Sequence, residues 1–190
     1  TVSDRDLHVN TATGEILDSW SVIGAATYKR HYVIGDWKSF TTSQGRTVKM
    51  VIAGFNLETS GNITWISQDL IFTNNMSTST SMPSGAWSGS TLRSQLTNTS
   101  TGFYSTIPSE VKNVLKYVSK TYYTGSGTSS KSDRVWIPSY REVFGNSNRE
   151  NSGPTYSNMF PTRESRIKYL DGTASWWYLR SVNEWGNGFE

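Results

Sequence analysis

The segment Trp176-Trp-Tyr-Leu-Arg-Ser181 gathers three adjacent aromatic rings and one arginine near the end of a chain of 190 residues. Alternation along an extended strand places Trp177 and Leu179 on one face and the other two rings, with the arginine, on the opposite face. Because both faces are aromatic, we predict a strand that is either sandwiched in the core or exposed on one face for binding. The Asn- and Gly-rich residues that follow surround Trp185, a further candidate for an exposed ring.

The composition is that of one α+β domain with an aromatic core. Hydrophobic residues make up 35% of the chain, and they include 8 Trp, 10 Tyr and 7 Phe. Each such ring can bury about 150–250 Å², so a few large side chains can build the core. The length suggests a single domain, over 31–190, preceded by an N-terminal arm or connector over 1–30 that contains short strands at most.

Several classes of function are disfavoured by the composition. The net charge of +3 is scattered, and no basic stripe accompanies it, so no nucleic-acid partner is expected. The chain has no cysteine, which excludes disulfides, thiolate nucleophiles and thiolate metal sites. No apolar run reaches about 18 residues, so insertion into a membrane is not expected.

Hydrophobic periodicity predicts short elements separated by long irregular loops. A strand is predicted over 46–55, where Val48, Met50 and Ile52 alternate with the residues between them. A second strand is predicted over 63–67. Helices are predicted over 91–96, over 110–119 and after Ser139. The last of these has capping-box spacing between Ser139 and Glu142 and a glycine at its end.

Three weaker patterns complete the prediction of secondary structure. Residues 20–34 are predicted to contain short strands, and 121–132 to be a Gly/Ser-rich linker. Residues 162–170 are predicted to form a short helix that ends before Asp171-Gly172.

Candidate catalytic groups are few. The two histidines, His8 and His31, are far in sequence from candidate acids, so neither a Ser-His-Asp triad nor a multi-histidine metal site is expected, and no cofactor. Five carboxylates could instead converge as the acid pair of a glycosidase: Asp133, Glu142, Glu164, Asp171 and Glu184. The competing interpretation makes them solvated charges, helix caps or partners of arginines.

Structural roles are predicted for six residues. Arg93 and Arg180 each follow an apolar residue in an otherwise uncharged segment, so each guanidinium is expected to be half-buried and to tie down a loop. Trp87, Trp136 and Trp176 stand beside predicted strands or helices and are expected in the core. Glu142 is the capping residue described above.

Four segments together resemble a largely uncharacterised domain family of gut bacteria and their phages. They are Ile63–Ser67, Trp87–Leu96, Val135–Gly145 and Trp176–Ser181, with the helix around 107–114 between the second and third. This family is similar to C-type-lectin-fold proteins and includes variable proteins of diversity-generating retroelements. The resemblance covers about 32–185.

The resemblance implies a C-type-lectin-like α+β fold and a non-catalytic role in binding a host-surface protein or glycan. The setting implied is a virion, as a phage tail fibre or appendage, or the surface of a bacterial cell. In variable members of the family the ligand surface lies on and after the Trp-Leu-Arg-Ser strand. Carried over, the ligand-binding residues are Tyr178, Asn183, Glu184, Trp185 and Asn187.

Two departures from the family pattern bear on this expectation. Tyr178 is an additional residue within the usual motif, and the closing strand that the family has after this point is missing. We therefore expect further residues or a partner chain beside the end at Glu190. The formylglycine-generating oxidases share the broad fold, but they need a cysteine pair that this chain lacks.

Two alternatives to ligand binding remain open at this level. The chain could be a structural virion subunit of a tail, baseplate or capsid decoration, acting through contacts with other subunits or with its own copies. It could also be a carbohydrate-active hydrolase that uses a carboxylate pair such as Asp133 and Glu142.

Overall fold

The computed structural model describes residues 3–25, 31–78, 81–145, 150 and 152–182. The chain is an α+β protein, and its described residues fall into two compact units. The first unit combines Thr1–Ile71 with Ile107–Leu115, and the second combines Phe72–Thr106 with Lys116–Glu190.

The helices of the described residues are short, with four to seven residues each. They are α1 (Trp20–Gly24), α2 (Thr91–Thr97), α3 (Phe103–Thr106), α4 (Ser109–Lys112) and α5 (Tyr140–Phe144). Short 3₁₀ turns are formed by Arg5–Leu7, Ala86–Gly89 and Glu164–Arg166. No helix in the described part of the chain is long and apolar enough to cross a membrane.

A five-stranded sheet organises the first unit. Its strands, in spatial as well as chain order, are β1 (Val9–Asn10), β2 (Glu15–Ile16), β3 (Trp37–Thr41), β4 (Thr47–Phe55) and β5 (Ile63–Ser67). Neighbouring strands are antiparallel, except for β2 and β3, which run parallel. A register shift between Ile52 and Gly54 interrupts the pairing of β4 with β5.

Aromatic rings pack against this sheet, as the composition suggested. The ring of Trp20, on α1, meets Phe40 and Trp65 edge-on, with centroid distances of 6.3 and 5.3 Å. Edge-to-face contact of this kind is a favoured geometry for aromatic pairs. The predicted strands over 46–55 and 63–67 are confirmed as β4 and β5.

Short strands are predicted over 20–34, and this prediction is wrong for the first residues of that range. Trp20–Gly24 is helical. The Ser19 hydroxyl accepts a hydrogen bond from the amide of Val22 and thereby caps the helix. Such a cap is a local signal of a helix start that outweighs the strand propensity of Val22 and Ile23. Within 1–30, the predicted arm, the structure places β1, β2 and α1. The domain boundary at residue 30 stays a prediction.

The described part of the second unit contains two hairpins and three α-helices. The longer hairpin pairs β6 (Val118–Tyr123) with β7 (Thr128–Asp133) in antiparallel register. The shorter one pairs β8 (Lys168–Leu170) with β9 (Thr173–Ser175). Helix α2 confirms the prediction over 91–96. Helix α5 confirms the capping box, since Ser139 and Glu142 bond each other's backbone amides.

The predicted helix over 110–119 and the predicted linker over 121–132 are both wrong. The helix ends at Lys112, and β6 begins at Val118. Along β6 the buried residues are Val118, Lys120 and Tyr122, which alternate with more exposed ones. A lysine at the central buried position hides this alternation, because a lysine is rarely buried without a partner.

Gly89 allows a close approach of two backbone segments. A Cβ atom added to it would lie 2.0 Å from the carbonyl oxygen of Ser84, which is backbone and cannot swing aside. Gly127, in the turn of the β6–β7 hairpin, would have nothing within 4 Å of an added Cβ.

We therefore expect Gly89→Ala to destabilise the protein by about 1–3 kcal/mol, the usual cost of overpacking. Thermal unfolding followed by tryptophan fluorescence measures the effect. Gly127→Ala is the matched control and should leave the midpoint within about one degree or raise it slightly. Equal midpoints for the two variants would contradict the close approach.

Candidate binding surface

The turn of the β8–β9 hairpin sets the geometry of the candidate site. Asp171 and Gly172 join the strands as a two-residue loop, and both have positive φ, of 50° and 82°. This is the pattern of a type I′ turn, whose twist matches that of paired strands. The predicted helix over 162–170 is wrong, since only Glu164–Arg166 is helical, as a 3₁₀ turn.

The hairpin and the residues next to it carry four exposed, large apolar side chains. Lys168 pairs with Ser175 at the open end of the hairpin, and Ile167 and Trp176 are the residues that flank this last pair. Tyr169 lies within β8. Tyr178 follows β9 and is exposed, between the less exposed Trp177 and the buried Leu179. We call Ile167, Tyr169, Trp176 and Tyr178 the hairpin face.

All four side chains of the hairpin face are exposed to solvent. Trp176 is 99% exposed, and the other three are between 43% and 48% exposed. Isolated exposed hydrophobic residues are common on proteins, whereas a contiguous group of them marks an interaction surface. The hairpin face is therefore the strongest candidate for a binding site among the described residues.

Side chains that alternate with the hairpin face point inward and hold this part of the backbone in place. The indole nitrogen of Trp177 donates to the carbonyl of Arg166 at 3.0 Å, and its ring stacks on Phe160 with centroids 6.0 Å apart. Leu179 and Lys168 are buried, with the Lys168 ammonium 5.8 Å from the Phe160 ring centroid. The exposed rings are therefore attached to a backbone that is held in place by inward-facing side chains.

A buried ionic cluster fixes the end of this segment. Arg180 donates to both carboxylate oxygens of Glu142, at 2.7 and 3.2 Å, and Lys120 contacts the same carboxylate at 2.6 Å. The guanidinium also donates to the carbonyls of Thr121 and Ile137. Since burying an unpaired charge is very costly, each member of the cluster needs the others.

The electrostatics of the cluster keep the Glu142 carboxylate ionised. Burial by itself would raise the pKa of Glu142, but the charges of Arg180 and Lys120 and the hydrogen bonds from both lower that pKa below its usual value of 4.5. The same carboxylate holds the pKa of Arg180 above its usual value, despite burial. Both groups are therefore charged at neutral pH.

Two further contacts extend the support around Ser181. Its hydroxyl accepts a hydrogen bond from the amide of Tyr140, at 2.7 Å, and donates to the buried carboxylate of Glu150. The amide of Arg180 donates to the carbonyl of Pro138 at 2.8 Å. These contacts join the end of the segment to the start of α5.

A second buried carboxylate, Asp133, organises the other tryptophan motif. The fully buried Trp87 donates its indole N–H to Asp133 at 3.1 Å. Arg93 donates to the same carboxylate through Nε, at 3.0 Å, and through Nη2 at 2.5 Å. Trp136 is half-buried, and the ammonium nitrogen of Lys120 lies 4.7 Å from the centroid of the Trp136 ring.

The prediction that Trp176 is a core residue is wrong, and so is the predicted strand over 176–181. Strand β9 ends at Ser175, and Trp176 points into solvent. Trp177 and Leu179 occupy the inward positions of this segment, and Trp176 is left exposed. The predicted alternation of faces holds for these residues but fails at Arg180, which is buried.

Of the five predicted ligand-binding residues, Tyr178 lies on the hairpin face. The other four lie outside the described residues: Asn183, Glu184, Trp185 and Asn187. The prediction that a closing strand is missing near Glu190 also concerns residues outside the described part of the chain. Sequence reasoning missed Ile167 and Tyr169. The Asp171-Gly172 pair, flanked by alternating apolar residues, is the hairpin signal that could have identified them.

The carboxylates considered for hydrolysis have other partners. Asp133 and Glu142 are each held by an arginine, and the lowered pKa of Glu142 is the opposite of what a general acid requires. Glu164 is exposed, and its carboxylate forms hydrogen bonds with its own backbone and with Thr162, which lower its pKa. Asp171 belongs to the hairpin turn, and Glu184 lies outside the described residues.

Removing the Glu142 charge should destabilise the protein. Glu142→Gln removes the carboxylate that pairs with two buried cations, and breaking a buried ion pair in this way typically costs about 3–5 kcal/mol. Urea unfolding measures the change, and Glu110→Gln, at an exposed position on α4, is the control that should stay within about 0.5 kcal/mol of wild type. A Glu142→Gln effect as small as that of the control would contradict the role of the cluster.

The lowered pKa of Glu142 also predicts a pH dependence. A carboxylate whose pKa is lower in the folded state contributes its full stability above the unfolded pKa, near 4.5, and loses it as the pH falls through the folded value. The difference in unfolding midpoint between wild type and Glu142→Gln should therefore shrink below about pH 4.5. A difference that stays constant down to about pH 3 would argue against this linkage.

Residues 61–188, more than half of the chain, match the family described as Domain of unknown function (DUF6273). No curated protein and no solved structure matches the chain. The match includes the whole hairpin face, both buried ionic clusters and, from the first unit, β5 and α4. The chain belongs to the DUF6273 family of domains of unknown function.

Proposed function

We propose that this chain is a non-catalytic ligand-binding domain and that the hairpin face is part of its contact surface. The proposal rests on one observation. Trp176 is fully exposed, while the neighbouring Trp177 holds the backbone in place through its hydrogen bond to Arg166. Tryptophan and tyrosine are the residues that contribute most of the energy at binding hot spots.

The chemistry of the hairpin face suits a ligand with both apolar and hydrogen-bonding groups. The flat rings of Trp176, Tyr169 and Tyr178 can stack on the apolar face of a sugar or fill a protein pocket, while the tyrosine hydroxyls direct hydrogen bonds. Because the inward side chains already fix the backbone, ordering on binding costs little entropy.

The biological setting of the proposal rests on the resemblance described above. It supports a C-type-lectin-like fold and a place on a phage virion, as a tail fibre or appendage, or on a bacterial surface. The ligand would be a host-surface receptor or glycan. In this proposal the contact surface continues from Tyr178 into Asn183, Glu184, Trp185 and Asn187.

Binding of the purified chain to a glycan array and to cells of gut bacteria tests the proposal. Trp176→Ala should weaken binding by about 30-fold, which corresponds to the roughly 2 kcal/mol of a hot-spot residue. Its unfolding midpoint should not change, because the ring is exposed. Leu17→Ala, at an exposed apolar position in the first unit, should bind like wild type.

Two outcomes would count against the proposal. Equal binding by Trp176→Ala and wild type would move the site away from the hairpin face. Self-association of the chain that Trp176→Ala abolishes, without binding to cells or glycans, would favour the structural virion subunit instead, since the same apolar face suits contact between copies.

A further inference from the structure

The N-terminal part of the first unit holds a cluster of potential metal ligands that the hairpin face does not involve. Asp4, His8 and His31 each offer one donor atom, and these atoms all lie within 4.8 Å of one another. His31 is buried, whereas the side chain of Asp4 is 68% exposed, so the cluster has a buried inner end and an outer end open to solvent. The three residues lie outside the family match at 61–188.

The fold brings these residues together through Arg5. Asp4 and His8 flank the 3₁₀ turn Arg5–Leu7. The Arg5 guanidinium donates to both oxygens of Asp36, at 2.8 Å each, and to the carbonyl of His31. A bidentate arginine–carboxylate pair is geometrically specific, so it holds the segment of His31 against the turn.

A second carboxylate orients the His8 ring. Nδ1 of His8 lies 2.9 and 3.0 Å from the two oxygens of Asp18, and the Tyr32 hydroxyl donates to the same carboxylate. In the tautomer in which Nδ1 donates its proton to Asp18, Nε2 is the ring nitrogen that can bind a metal ion. Histidines that bind metals characteristically donate their other ring N–H to a carboxylate in this way.

We propose that Asp4, His8 and His31 bind a first-row transition metal ion such as Zn²⁺, with Asp18 as the outer partner that orients His8. Two imidazoles and one carboxylate form a donor set typical of Zn²⁺, with a fourth position for water or another ligand. Bond lengths of about 2.0–2.1 Å set tetrahedral donor atoms roughly 3.4 Å apart. The distance from Nδ1 of His31 to Oδ2 of Asp4 is 3.4 Å already.

Binding of an ion requires one rearrangement. The His8 and His31 rings are stacked, with centroids 4.2 Å apart and an angle of 19° between their planes. Lone pairs in nearly parallel planes do not meet at one point, so one ring has to tilt as the ion enters. Without metal, the same residues form two histidine–carboxylate pairs, and this metal-free clasp is the competing explanation.

The chain makes the test unusually clear, because His8 and His31 are its only histidines. The full chain, stripped with a chelator, is titrated with Zn²⁺ by calorimetry near neutral pH and with Co²⁺ by visible absorption. Imidazole ¹⁵N NMR signals report on both rings in the same samples. We expect one ion per chain, the absorption of tetrahedral Co²⁺, and a shift of both sets of histidine signals.

Variants separate ligands from supporting residues. His31→Ala and Asp4→Asn should weaken Zn²⁺ binding by about 100-fold or more, and Asp18→Asn by about 10–100-fold with unchanged stoichiometry. Asp4→Asn alters an exposed side chain, so it tests the site without endangering the fold. Asp69→Asn, at an exposed position in the same unit, should bind Zn²⁺ like wild type.

The proposal is overturned if Zn²⁺ leaves the histidine signals unmoved, or if Asp4→Asn and Asp69→Asn bind Zn²⁺ equally well. Either result would assign the residues to the metal-free clasp. The outcome is independent of the hairpin face, because Trp176→Ala should not change Zn²⁺ affinity.

Discussion

The arrangement of the second unit depends on one buried carboxylate. Glu142 accepts hydrogen bonds from the amide of Ser139, from two nitrogens of Arg180 and from Lys120. These donors come from a strand, a helix start and the segment after β9, which are distant in sequence. Because a buried carboxylate is tolerated only when its oxygens are satisfied, the three segments have to meet at this point.

This constraint explains how the protein can expose a tryptophan on an ordered backbone. Arg180 fixes one end of the segment and the Asp171-Gly172 turn fixes the other, while Trp177 and Leu179 pack inward between them. Among the outward residues, Trp176 buries almost none of its surface, so its ring adds little to the packing of the fold. Replacing Trp176 should therefore leave the fold intact.

Local signals in the sequence predicted local structure well. The alternation over 46–55 and the capping box of α5 were recognisable, because each acts over a few residues. The ion pairs of Arg93 and Arg180 join residues 40 and 38 positions apart, so the sequence indicated tethered guanidiniums but not their partners. β6 was missed because its central buried residue is Lys120, whose burial makes sense only beside Glu142. Trp176 was misplaced because large aromatic residues are usually buried.

The pairing of β4 with β5 has a consequence for how this family is delimited. The family match begins at residue 61, just before β5, whereas β4 lies entirely upstream of it. A protein trimmed to the matched region would keep Ile63–Ser67 but lose the strand to which those residues are hydrogen-bonded, and it would present an open sheet edge prone to pairing with other chains. The segment that matches the family and the set of strands that pair in the sheet therefore have different boundaries.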